Sequence, residues 1–100
     1  SQLRVRRLAR VRPAGIDRTV EIYELLAAHR DEEHSLSDQQ IAEYELSLEA
    51  LIRGDWNEAY ERLHSLPAWD RPKDALLSTI LRHNRIPPDS WNGVLEIPKM

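Results

Sequence analysis

From residue 3 to residue 12, apolar and charged side chains alternate. Leu3, Val5, Ala9 and Val11 fall on one parity, and Arg4, Arg6, Arg10 and Arg12 on the other. A period of two marks a half-buried strand. Arg7 and Leu8 interrupt it, which predicts a bulge or a change of face near them. Pro13 has no N–H to give to a ladder, so the strand is expected to end there. Pro13-Ala14-Gly15-Ile16-Asp17 reads as a turn. Thr19–Leu25, β-branched and aromatic, reads as the return strand. The pattern predicts a β-hairpin over residues 1–26 with no sheet around it. A hairpin alone is marginal in water, so the chain is expected to begin inside a larger protein.

The period then changes. Residues 27–36 are polar and acidic, without apolar periodicity, and read as a linker. Ser35 or Ser37 offers a helix N-cap, and Gln40 stands three residues after Ser37 as in a capping box. Ile41, Tyr44, Leu48, Leu51 and Ile52 follow at helical spacing. Gly54 ends this first helix, and Asp55 caps a second with Trp56, Ala59, Tyr60 and Leu63 on one stripe. Pro67 stops it. Trp69, in the connection, is expected to fill the gap between helices. Asp70 or Pro72 opens a third helix with Leu76, Leu77, Ile80 and Leu81 inward, and Pro87-Pro88 forbids its continuation. Trp91 to Ile97 reads as a turn and a short extended segment. The expected fold is mainly α, of the α+β kind: a hairpin, about three helices over residues 37–100 that bury one another, and an extended end.

Composition narrows the class. One hundred residues make one domain at most. No apolar run approaches the ~18 residues of a membrane span, no signal-peptide pattern is present, and cysteine is absent. These features fit a cytoplasmic chain without membrane contact. The net charge of −3 conceals an asymmetry. Residues 1–18 hold six arginines and one acid, net +5; the remainder holds eight basic and sixteen acidic residues, net −8. A basic strand can bind nucleic acid or phosphate, or it can lie against acidic helices of its own protein. No aromatic among these arginines offers a base a stacking partner, so no nucleic-acid partner is expected.

Catalytic patterns are sparse. The chain has no Gly-rich phosphate loop and no supported Ser/His/Asp set. His29, His34, His64 and His83 do not pair at i,i+4 on a helix, so they read as solvated or capping residues, and no metal ligand is assigned. Asp31-Glu32-Glu33 reads as a solvated run. Gly54-x-Trp56-x-x-Ala59-x-x-x-Leu63 resembles the second half of a tetratricopeptide unit, in which Gly permits a tight turn and Ala a close helix approach. Ser47 and Ala50 stand where the first half wants Gly and an aromatic, and no second copy follows. The alternatives are a peptide-binding module and an ordinary helical hairpin.

Arg10-Val11-Arg12, Gly15 and Val20-Glu21-Ile22-Tyr23-Glu24-Leu25 resemble the last two strands of the class III adenylate/guanylate cyclase catalytic domain. The tail residues Tyr44, Leu51, Gly54-Asp55-Trp56, Ala59, Asp70-x-Pro72 and Pro87-Pro88-x-x-Trp91-x-Gly93-Val94 resemble a helical extension that follows this domain in some bacterial cyclases. The resemblance implies a parent that makes a cyclic nucleotide and pyrophosphate from ATP or GTP with two divalent ions, Mg or Mn. It also implies a homodimeric parent, whose catalytic domain would be this segment's partner. The segment itself would supply no catalytic residue. Arg12, Gly15 and Arg18 would be what remains of the phosphate loop, with Ile16 where the family carries a lysine. Tyr44, Gly54, Trp56, Ala59, Leu63, Trp69 and Trp91 are the expected packing residues.

Overall fold

A computed structural model describes residues 4–15, 17–26 and 35–97. Ile16, most of the expected linker, His29, His34 and the Asp31-Glu32-Glu33 run lie outside the described residues. The elements are β1 (Arg4–Pro13), β2 (Val20–Leu26), α1 (Asp38–Ile52), α2 (Trp56–Leu63), α3 (Arg71–Arg82) and β3 (Leu95–Ile97). The hairpin, the three helices and the extended end stand in the expected order.

The hairpin does have a sheet around it. β3 pairs in parallel with residues 11–13 of β1, giving the strand order β2-β1-β3. Three apolar-rich residues at the end of a chain carry too little periodicity to announce a strand.

β1 and β2 run antiparallel, with a register shift between Arg7 and Ala9. This is the interruption expected at Arg7-Leu8, and it reverses the facing of everything before it. One added residue moves a strand's side chains to the opposite face. Ala9 and Val11 therefore point into the core together with Arg6, while Val5 is exposed. The simple odd–even assignment fails on that point.

α1 begins as its sequence directs. Ser37 accepts a hydrogen bond from the Gln40 N–H, and the Gln40 side chain accepts one from the Ser37 N–H. Leu36 and Ile41 occupy the two positions of a hydrophobic staple and both are buried. Leu36 thus belongs to the core, not to a polar linker. At the other end, Gly54 N–H donates to Leu51 and Asp55 N–H to Ala50, a Schellman closure. Gly54 sits at φ +94 there, in the left-handed region where a Cβ is penalised.

The core runs along the helices. Tyr44, Leu48, Leu51, Trp56, Ala59, Leu63, Leu76 and Ile80 are buried together, with Leu8 and Leu95 of the sheet packed against them. Leu81, expected inward on α3, is 52% exposed. It lies one residue past Ile80, about 100° around the helix and off the buried stripe. Among the described residues no helix is long and apolar enough to cross a membrane.

Candidate functional site

The hairpin meets the helices at one buried arginine. Arg6 is 1% exposed. Its guanidinium donates to Asp70 Oδ2 at 2.9 Å and Oδ1 at 3.0 Å. It also donates to Glu24 Oε1 at 2.9 and 2.6 Å. Its Cζ stands 4.6 Å from the centre of the Tyr44 ring. Burial pulls the Arg6 pKa down, but the hydrogen bonds and charges of Asp70 and Glu24 outweigh it, and the net shift is upward. The charge is thus held by two carboxylates, one from β2 and one from the N-terminus of α3. A planar fork suits this bidentate geometry.

α1 closes the neighbouring edge of β1. The Tyr44 hydroxyl donates to the Leu8 carbonyl at 2.8 Å, and the Arg7 N–H donates to Glu45 at 2.8 Å. Two backbone groups of β1 beside the bulge thereby gain side-chain partners. Burial raises the Tyr44 pKa, with the nearby Arg6 charge opposing. Further ion pairs join Arg4 to Asp38, Arg7 to Glu21 and Glu49, and Arg10 to Glu21. The Arg10 hydrogen bond, aided by Arg7, holds Glu21 below the usual carboxylate range. Much of the basic strand is therefore engaged by the chain's own acids.

At the far end of the hairpin, Arg12 stands near the end of β1, and Gly15 and Arg18 lie in the turn, all exposed. The structure places these three sequence-selected residues at one end of the molecule, away from the Arg6 junction.

The packing residues form a second focus. The Trp56 and Trp91 indole N–H groups both donate to the Leu51 carbonyl, at 3.1 and 2.8 Å. Their rings meet edge to face with centroids 5.1 Å apart. Two tryptophans thus satisfy one carbonyl at the C-terminus of α1. Gly93 follows at φ +86, where a Cβ would lie 2.9 Å from Ile52 Cγ2. The Pro-Pro-x-x-Trp-x-Gly-Val segment is a strap that crosses the end of α1 and delivers β3 to β1. Tyr44, Ala59 and Leu63 are buried as expected. Trp69 is 38% exposed and does not fill the space between helices; Asp70, beside it, turns inward instead. His64 and His83 each donate a ring Nδ1–H to a carbonyl four residues back, Tyr60 and Thr79, at helix ends.

A cleft of about 640 Å3 opens between the end of β1, the second half of α3 and the strap. Arg12, Arg82, His83, Trp56 and Trp91 contribute to its lining. Among the described residues, no group of three or more His, Asp and Glu side chains is placed to hold a metal ion.

Sequence reasoning missed Arg6 and Asp70 as a pair. The signal was present in the bulge, which turns Arg6 inward, but the partner lies 64 residues away. No known family model, curated protein or solved structure matches the chain.

Proposed function

We propose that this chain is the C-terminal part of a class III nucleotide cyclase, a non-catalytic segment that joins the last catalytic hairpin to a helical extension. The observation that carries this proposal is the outer side of the sheet. β2 is an edge strand among the described residues. Val5, Tyr23 and Leu25 stand exposed on the sheet surface turned away from the helices, Leu25 at 69%. An open edge beside exposed apolar side chains suits continuation into a larger sheet. The helices cover the inner surface and leave this side available to the rest of a catalytic domain. Because Arg6, Tyr44 and β3 bind the extension to the hairpin, a force on the helices reaches the catalytic sheet directly. The extension is thereby suited to tuning the assembly of the parent.

The test is cyclic nucleotide formation from ATP and GTP with Mg or Mn, by the longer polypeptide with and without residues 27–100. Activity that changes on truncation, in a protein still folded, supports the proposal. No activity in either form counts against it and favours a tetratricopeptide-like interaction module.

A further inference from the structure

We propose that the cleft between β1, α3 and the strap is a binding site for a small organic anion with a flat apolar body. Its volume, about 640 Å3, lies within the range of small-molecule sites. The floor includes Trp56 and Trp91, whose indole N–H groups are both committed to Leu51 O. Trp91, half-buried and backed edge to face by the buried Trp56, therefore offers the cleft ring surface rather than a polar atom, a surface that suits a flat apolar ligand.

The charge of the lining sets the second requirement. Its described residues include the guanidinium of Arg82 and no carboxylate, in a chain whose net charge is −3. Among the other arginines, Arg7 meets Glu21 and Glu49, and Arg62 meets Glu58 and Glu43. Arg82 makes no ion pair with any described residue. A guanidinium in the lining of the cleft favours a carboxylate, sulfonate or phosphate on the ligand. The site does not depend on the cyclase proposal.

The test uses the full chain and two probes with the same rings. One is 8-anilinonaphthalene-1-sulfonate, an anion; the other is N-phenyl-1-naphthylamine, which lacks the sulfonate. The anion should bind at one equivalent with a rise in its emission, and more tightly than the neutral probe. Arg82→Ala, at an exposed position, should weaken it about tenfold, as for loss of one charged hydrogen bond. Ala75→Trp, which fills the cleft from another exposed position on α3, should abolish binding. Leu25→Asp, on the opposite apolar surface, should leave it unchanged. Circular dichroism shows that each variant is folded, and Arg82→Ala decides if Ala75→Trp is not. Equal affinity for both probes, anion binding insensitive to Arg82→Ala, or loss of binding in Leu25→Asp alone would overturn the proposal.

Discussion

Arg6 joins three elements through one side chain, meeting Glu24 of β2, Asp70 at the start of α3 and Tyr44 of α1. Its desolvation is offset only while Asp70 and Glu24 are in place. Removing one member of such a buried set leaves an uncompensated charge, at a typical cost of about 3–5 kcal/mol. Arg6→Met and Asp70→Asn are each expected to destabilise by about that amount in urea denaturation, and the double variant by much less than the sum. Additive effects would show that the two residues do not act as a pair. Tyr44 adds a pH signature. Its folded-state pKa lies above tyrosine's ordinary 10.0, so the fold favours the protonated phenol. That contribution is fully present below pH 10 and is lost as pH rises through the raised value. Stability should therefore fall with alkaline pH, and less steeply in Tyr44→Phe. The same variant should cost about 1 kcal/mol at neutral pH for the lost bond to Leu8 O. Equal alkaline slopes in the two proteins would remove Tyr44 from this role.

At the scale of the element, the strap and the helix ends decide which aromatic side chains matter. Trp56 is 1% exposed and hydrogen-bonded, so Trp56→Ala should cost about 3–5 kcal/mol. Trp69 lies at the surface, and Trp69→Ala should stay within about 1 kcal/mol. Similar losses from the two would contradict the packing described here. Gly93→Ala should lower the melting temperature, because the added Cβ meets Ile52 and the backbone there is left-handed; an unchanged melting temperature would mean that the strap yields. These elements were legible in the sequence to different degrees. Ser37, Gln40, Gly54 and Asp55 act through neighbours three to five residues away, so their roles could be read locally. The bulge at Arg7-Leu8 was visible as a broken period, but its effect on the facing of Arg6 requires the sheet register. The Trp91 cap on Leu51 spans 40 residues, and the pairing of β3 with β1 spans more than 80. Neither leaves a periodic trace. The chemistry of the cleft was illegible for the same reason: Arg12, Ala75, Arg82 and Trp91 come from separate segments.

Across the whole molecule, the helices and the hairpin depend on each other. The inner surface of the sheet supplies Leu8, Ala9 and Val11 to burial, β1 gives β3 its ladder, and Arg6 neutralises Asp70 at the start of α3. Without the hairpin, α1 and α2 retain their mutual packing, their caps and the Arg62 ion pairs to Glu43 and Glu58. α3 would keep a buried carboxylate with no cation, and the strap would have no strand to join. The piece 27–100 should therefore retain helical circular dichroism but lose stability and cooperativity, with α3 and the strap exchanging their amide protons fastest. A tetratricopeptide-like module has the opposite requirement, since its helices would have to stand without the strands. Native stability and protection in 27–100 would sink the coupled arrangement and favour that module. Loss of protection confined to α3 and residues 86–97 would place the coupling at the Arg6–Asp70 contact and the β1–β3 ladder. Those are the two points at which a change in the helical extension would be felt by the sheet.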